Sequence, residues 1–212
     1  MAERSEPVRA RSFGQDGELS VVDRFGIWLS ERAIRRHVES FAGLRVGDFG
    51  CGYDARFVRT VLDEVREAVL VDVALAPDLV ADPRVRAIEG RLPDALDELE
   101  DASLDVALCI STLEHLSEPD RALRSFRRVL RPGGVCLVNV PSWRGKRFLE
   151  LSAFRLHLSP AAEMDDHKRY YDPRDLWPML VAAGFLPSGI KCSRHKFGLN
   201  TFAACRVPGE RA

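Results

Sequence analysis

Apolar residues recur along this chain in short continuous runs that alternate with segments of helical spacing. Nearly continuous apolar runs occur at 69–73, 106–110 and 135–140, as is typical of strands covered on both faces of a parallel sheet. Further strands are predicted at 44–50, 85–90, 185–194 and 199–207. Helices are predicted at 55–68, 118–130 and 173–184, where apolar residues recur every three or four positions. Strands that alternate with helices in this way indicate an open α/β domain.

The segments outside this regular pattern are expected to have separate roles. Residues 1–18 are polar and are expected to be flexible, and residues 19–42 are predicted to form a helical extension that could divide at Gly26. The main domain is predicted to span residues 43–212. Within it, the irregular segment 142–171 joins a strand to the next helix, and such connections lie at the functional edge of an open sheet.

The stretch VGDFGCGYDA, residues 46–55, joins the first strand of the domain to its first helix. Gly50 and Gly52 permit a tight turn and the close approach of a ligand to the backbone. Asp72 ends the next strand 20 residues after Gly52, which is the usual spacing for a carboxylate that binds ribose hydroxyls. Two cofactor classes share this arrangement, the dinucleotides and S-adenosylmethionine.

The acidic residues of the loop distinguish the two cofactor classes. Asp48 and Asp54 would face the pyrophosphate of a dinucleotide, whereas S-adenosylmethionine carries an ammonium and a sulfonium that carboxylates favour. A dinucleotide loop also needs a third glycine, and Ala55 stands at that position. An NAD(P)-dependent oxidoreductase is therefore disfavoured. Asp54 is expected to cap the helix that begins near Ala55, in a left-handed or tightly packed conformation.

From Leu44 to Arg206 the sequence resembles the class I S-adenosylmethionine-dependent methyltransferases. The resemblance rests on the loop VGDFGCG, the strand end LVDVA, the block LDVALCISTLEHLSEPDRALRSFRRVLRPGGVCLVNVPS and the segment HKRYYDPRDLWPMLVAAGF. The long block is the most specific, and it is similar to the small-molecule O-methyltransferases that include those of quinone biosynthesis. The resemblance implies a Rossmann-like, mostly parallel sheet of seven strands with an antiparallel last strand and helices on both faces.

The resemblance further implies S-adenosylmethionine as cofactor, S-adenosylhomocysteine as product, and residues that hold them. Asp48 would orient the ammonium, and Asp72 would bind the ribose diol. The implied cofactor-binding set is Asp48, Gly50, Cys51, Gly52, Asp72, Val73, Arg91, Leu92, Ser111 and Thr112. Asp54 departs from the family's usual glycine, and Arg91 departs from the acid that often binds adenine. Adenine is then left to a backbone N–H near Arg91 or Leu92.

Two histidines are candidate catalytic bases, because an oxygen acceptor loses a proton during methyl transfer. His115 follows the fourth strand, on the side where the methyl group is expected. His167 follows two aspartates that could tune its pKa. Each has a structural alternative, since His115 could hold the shape of its loop and His167 could tie the insertion to the domain. Trp143, Tyr170 and Tyr171 could contact an acceptor or simply pack.

Composition restricts the partners that can be expected. The formal net charge of −1 gives no general attraction to nucleic acid, and no apolar run approaches the ~20 residues that span a bilayer. The N-terminus lacks the apolar core of a signal peptide, so a cytoplasmic protein is expected. The five cysteines form no CxxC pair, and no set of residues has metal-ligand spacing. Buried free thiols and no metal are predicted.

These observations together predict an enzyme that transfers a methyl group from S-adenosylmethionine to a small-molecule acceptor, at oxygen. It would act as a monomer or homodimer, without nucleic acid. Methylation at nitrogen or carbon, and a non-catalytic protein that binds S-adenosylmethionine, remain as alternatives.

Overall fold

The computed structural model describes residues 12–15, 21–146 and 169–209 of the chain. The strands are β1 (Arg45–Phe49), β2 (Glu67–Asp72), β3 (Val85–Glu89), β4 (Leu104–Ile110), β5 (Leu130–Pro141), β6 (Ile190–His195) and β7 (Asn200–Arg206). The α-helices include α1 (Val21–Arg35), α2 (Arg56–Arg59), α3 (Pro77–Ala81), α4 (Pro119–Val129) and α5 (Pro173–Ala182).

The seven strands form one sheet in the order β3-β2-β1-β4-β5-β7-β6. Strands β1 to β5 pair with one another in parallel, whereas β7 is antiparallel to both β5 and β6. The predicted sheet, with its antiparallel last strand, is confirmed. The strand order reverses at β1, which pairs with β2 on one side and β4 on the other. In open parallel sheets, ligands bind outside the carboxyl ends of the strands at such a point.

Helices cover both faces of the sheet, which explains why the central strands are apolar at nearly every position. Alternate residues of one strand enter different cores: Val69 and Val71 pack with α4 and α5, whereas Ala68 and Leu70 pack with α1, α2 and α3. Strand β4 is buried over six of its seven residues. Such two-sided burial requires a continuous apolar run, rather than an alternating one.

Two helices differ from the expected pattern. Helix α1 is continuous from Val21 to Arg35, so Gly26 does not divide it. Trp28 on this helix is 48% exposed and stacks on Phe25. Helix α2 was expected to reach residue 68 but ends at Arg59, because the following N–H groups bond three residues back and tighten the chain into turns.

Helix α5 has the ends that the sequence predicts. Asp172 precedes the helix, and its N–H donates to the carboxylate of Asp175 at 2.9 Å. At the other end Gly184 takes φ +98°, and its N–H and that of Phe185 donate to the carbonyls of Val181 and Leu180. This is the Schellman arrangement, in which a glycine satisfies the last carbonyls of a helix.

Three further findings concern membranes, metals and thiols. Within the described residues, no helix is long and apolar enough to cross a bilayer. Nor do the described residues hold a group of three or more His, Cys, Asp or Glu side chains suited to a metal ion. All five cysteines are free, and Cys109, Cys136 and Cys205 are buried. The predicted buried thiols are thus confirmed for these three.

Candidate cofactor site

The glycine loop follows β1 at the carboxyl edge of the sheet. The N–H of Gly50 donates to the carbonyl of Val71 at 2.7 Å, so the loop extends the pairing of β1 with β2. Asp48 lies within β1 opposite Leu70, and Asp72 is the last residue of β2. Folding therefore brings the two predicted carboxylates to one edge of the sheet.

Gly50 is required by a close contact as well as by its backbone conformation. Its φ is +77°, and a Cβ at this position would overlap the side chain of Thr112. The hydroxyl of Thr112 donates to the carbonyl of Gly50 at 3.0 Å. Ser111, which precedes Thr112, has φ +55° and donates its N–H to the carbonyl of Asn139. The loop after β4 is thus fixed against the glycine loop, which brings Ser111 and Thr112 next to Gly50.

Asp72 is held by hydrogen bonds from three parts of the chain. Its Oδ2 accepts the N–H of Gly52 at 2.8 Å, and its Oδ1 accepts the N–H of Val73 at 2.8 Å. The hydroxyl of Ser12 also donates to Oδ1, at 2.5 Å. Gly52 and Val73 therefore lie beside Asp72, and their role in cofactor binding stays a prediction.

Asp48 has a different environment, because it is buried. Desolvation raises the pKa of its carboxyl to about 7, and the nearby charge of Asp72 contributes to the shift. A ligand cation would favour the ionised form of this carboxyl. Burial also raises the pKa of the Cys51 thiol far above its usual range, with both aspartates adding to the effect. A raised pKa favours the protonated thiol, which is less nucleophilic than a thiolate.

Residues 12–15 form a turn that contacts the site, although flexibility was expected for residues 1–18. Ser12 is 6% exposed, and its Oγ contacts the carboxylate of Asp72 and both the N–H and the carbonyl of Ala74. The carbonyl of Phe13 accepts the N–H of Tyr53 at 3.0 Å. The sequence carries no apolar or spacing signal for these contacts, which sequence reasoning missed.

Asp54 does not cap α2, so that prediction is wrong. The residue before the helix is Ala55, which has φ +40° and offers no side-chain cap. Asp54 instead accepts Arg59 Nε at its carbonyl at 2.8 Å, and its carboxylate lies 3.5 Å from Arg56. Left-handed conformations occur at Gly50, Gly52 and Ala55, and Asp54 is not among the residues of positive φ. Ala55 thus adopts the left-handed backbone conformation that was expected at Asp54.

Arg91 and Leu92 follow β3, beside the end of β2. The N–H of Gly90 donates to the carbonyl of Asp72 at 2.9 Å, which brings this loop next to Asp72. Arg91 is exposed, whereas Leu92 packs against the core. Their position agrees with the expected adenine side of the site, and their role in binding stays a prediction.

His115 ends a short 3₁₀ helix, Leu113–His115, directly after Thr112. Its N–H donates to the carbonyl of Thr112 at 3.0 Å, and its side chain is half-buried. The neighbouring Glu114 is 1% exposed. Burial raises the pKa of Tyr171 to about 12, and the charge of Glu114 adds to the rise. The carboxylate of Glu114 thus lies near Tyr171. His167 lies outside the described residues.

Aromatic residues at both ends of the insertion meet. The rings of Trp143 and Tyr170 lie 5.7 Å apart, and Lys146 Nζ lies 5.6 Å from each ring centroid. Tyr170 and Tyr171 are buried, which fits packing rather than contact with an acceptor. Trp143 is 46% exposed, so it packs on Tyr170 and Lys146 at the surface rather than in the core.

A cavity of about 280 Å³ opens at the opposite edge of the sheet, where β1, β2 and β3 begin. It is lined by Arg45, Arg66, Glu67, Pro83, Arg84, Val85 and Arg86. Arg45 is paired with Glu67, and Arg84 is paired with Asp63 and Asp82. This cavity lies away from the carboxyl ends of the strands and is not part of the cofactor site.

Comparison with known proteins agrees with this geometry. The family described as a methyltransferase domain matches residues 47–138, which include the glycine loop and both aspartates. Residues 47–138 belong to the methyltransferase family. The chain is 30% identical over 164 residues to a ubiquinone biosynthesis O-methyltransferase of Idiomarina loihiensis, covering 71% of this chain and 65% of that protein. It is also 30% identical over 160 residues to a probable S-adenosylmethionine-dependent methyltransferase of Mycolicibacterium smegmatis, covering 73% of this chain and 57% of that protein. The chain thus spans less than two thirds of these relatives.

A solved structure shows the same fold. It is a Burkholderia thailandensis 1,6-didemethyltoxoflavin-N1-methyltransferase with bound S-adenosylhomocysteine, and it is 20% identical with a TM-score of 0.59. The match covers 88% of this chain and 83% of that one. S-adenosylmethionine is the cofactor of the family, and the residues of the methyltransferase domain fit it. The buried carboxyl of Asp48 and the hydrogen-bonded carboxylate of Asp72 border the glycine loop, and an ammonium or a sulfonium would favour the ionised form of both.

Proposed function

We propose that this chain transfers a methyl group from S-adenosylmethionine to a small-molecule acceptor, at an oxygen atom. The observation that carries this proposal is the pair of carboxylates, Asp48 and Asp72, beside the glycine loop at one sheet edge. A cofactor with an ammonium and a sulfonium gains from both groups. A dinucleotide would bring its pyrophosphate against them, which opposes binding.

Each half of the cofactor has a matching part of the site. Asp72 is proposed to accept the two ribose hydroxyls, and Asp48 to stabilise the ammonium. Charge-assisted hydrogen bonds of this kind are about twice as strong as neutral ones. Backbone N–H groups at Arg91 and Leu92 remain for the adenine ring. Cys51 and Val73 are proposed to contribute backbone atoms to the cofactor site and to shape its wall.

When bound, the cofactor supplies a methyl carbon that an acceptor oxygen attacks in line with the breaking carbon–sulfur bond. The chain's task is then to position the reactants and to remove one proton. Thr112 fixes the loop after β4 through its hydrogen bond to Gly50. His115, next along that loop, is proposed to take the proton from the acceptor. A general base of this kind contributes ~10²–10⁴-fold.

Oxygen is the proposed acceptor atom because a ubiquinone biosynthesis O-methyltransferase is 30% identical to this chain. The toxoflavin enzyme methylates a nitrogen, by its name, but at 20% identity it supports the fold alone. Methylation of nitrogen or carbon is therefore the alternative outcome of an acceptor test.

Calorimetry with the full chain tests the cofactor assignment. We expect S-adenosylhomocysteine to bind with a micromolar Kd and NADH to give no heat above dilution. Binding of NADH without S-adenosylhomocysteine would overturn the proposal.

Methyl transfer to catechol, used as a simple oxygen acceptor, then tests the proposed role of His115 as the general base. His115→Gln is expected to lower kcat by about 100-fold and to leave the affinity for S-adenosylhomocysteine unchanged. An equal kcat would assign His115 a structural role.

A further inference from the structure

Residues 12–15 lie across the two parts of the chain between which the cofactor is proposed to bind, and we call them the strap. Ser12 contacts the end of β2 through Asp72 and Ala74. Phe13 contacts the glycine loop through the N–H of Tyr53. The backbone of Phe13 also lies close to Gly52, where a Cβ would come within 3.1 Å of the carbonyl oxygen. The strap therefore joins the ribose-binding strand end to the loop.

Acceptor positions on Asp72 limit what can bind while the strap is in place. A carboxylate offers about four lone-pair positions. Oδ1 already receives the Ser12 hydroxyl and the N–H of Val73, and Oδ2 receives the N–H of Gly52. About one position is left, whereas a ribose diol donates two hydrogen bonds. Removal of Ser12 restores the second position.

The Ser12 hydroxyl imitates a ribose hydroxyl in its chemistry. It is a neutral O–H group that donates to the same carboxylate oxygen. Its Oγ lies 2.5 Å from both Asp72 Oδ1 and the Ala74 carbonyl, so one proton is shared between two acceptors. The charged carboxylate is the stronger of the two.

Polar contacts hold the strap, so a ligand can displace it. The Phe13 side chain is 44% exposed, so it is only partly buried. By contrast, Ile34 and Phe41 are each 1% exposed and fix the start of the domain to the core. Local openings of this kind are drawn from segments with few buried apolar contacts.

We propose that the strap occupies part of the ribose site through Ser12 and that S-adenosylmethionine must displace it to bind. This inference rests on the proposed function. The strap would thereby lower the affinity of the resting protein for both S-adenosylmethionine and S-adenosylhomocysteine. It would also slow association, since the site opens before the cofactor enters.

The test is the binding of S-adenosylhomocysteine to the immobilised full chain, measured as association and dissociation rates. Ser12→Ala is expected to tighten binding about tenfold, mainly through faster association, because one competing charge-assisted hydrogen bond is removed. Ser103→Ala is the matched control. The Ser103 hydroxyl also donates to a backbone carbonyl, that of Glu100, but in the exposed turn before β4. No change is expected there.

Gln15→Ala provides a second variant that leaves Asp72 and Ser12 intact. The side chain of Gln15 accepts the N–H of Ser12 at 3.2 Å and so supports the turn. A smaller gain in affinity is expected from its removal. If Ser12→Ala instead speeds dissociation and weakens binding, the strap is a cover that grips the cofactor, and the inference fails while the proposed function stands. Unchanged rates also overturn the inference. Absence of binding in every variant would overturn the proposed function, and the inference with it.

Discussion

Asp48 and Asp72 lie on neighbouring parallel strands at one edge of the sheet, yet their carboxyl groups differ in burial and in hydrogen bonding. Asp48 is buried, and desolvation raises its pKa to about 7. Asp72 is partly exposed and accepts hydrogen bonds from Gly52, Val73 and Ser12. The first carboxyl is therefore ready to gain charge when a cation arrives, whereas the second is already arranged for hydroxyl donors. The two aspartates thus suit the two proposed parts of one ligand because their environments differ.

The largest expected effect follows the loss of the hydrogen-bonded carboxylate. Asp72→Ala should weaken the binding of S-adenosylhomocysteine by at least about 100-fold. Two hydrogen bonds to a charged group are lost, each of about 1.5–3 kcal/mol, and this exceeds any gain from releasing Ser12. Titration calorimetry measures the change. Asp101→Ala is the control, because Asp101 is exposed and pairs with Arg128 at 2.6 Å away from the site. A loss of affinity of less than threefold for Asp72→Ala would contradict the assignment of Asp72 to the ribose.

The buried carboxyl should affect stability rather than hydrogen bonding. The raised pKa means that folded Asp48 holds its proton more tightly than the unfolded chain does. Its contribution to stability therefore falls as the pH rises from about 4 to about 7 and is constant above that. Asp48→Asn should raise the free energy of unfolding by about 2–3 kcal/mol at pH 8 and by much less at pH 5. Urea unfolding at the two pH values tests this, and equal changes at both would contradict the burial argument.

A third aspartate beside the loop should have the smallest effect. The Asp54 carboxylate is partly exposed and lies 3.5 Å from Arg56. Exposed ion pairs contribute about 0–1 kcal/mol. Asp54→Ala should therefore change the affinity for S-adenosylhomocysteine by less than about threefold, by the same calorimetry. Tighter binding by tenfold or more would instead indicate that this carboxylate faces the carboxylate of the ligand.

Much of the fold and the loop could be predicted because their signals are local. Apolar runs gave the strands of the sheet, and Gly50, Gly52 and Asp72 are recognisable from their spacing and their position at strand ends. The Schellman end at Gly184 is equally local, since it depends on a few adjacent residues.

Contacts between distant or polar residues could not be predicted in this way. Ser12 contacts Asp72 although 60 residues separate them in sequence, and no local sequence pattern indicates that the two residues are partners. The left-handed conformation occurs at Ala55 rather than at Asp54. Intrinsic propensity favours aspartate over alanine in this conformation, but the packing of the loop determines which residue adopts it. The pKa of Asp48 depends on burial, which the residue type does not reveal.

The central claim is that Asp48 and Asp72 together hold a cationic cofactor, and proton release on binding tests it most directly. Calorimetric titration with S-adenosylhomocysteine at pH 7, in two buffers of different ionisation enthalpy, measures the number of protons released. A carboxyl with a pKa of about 7 should lose about half a proton when the ligand's ammonium approaches it. We predict that release from the wild-type chain and none from Asp48→Asn. Binding without proton release by the wild type, or equal release by both, would contradict the account.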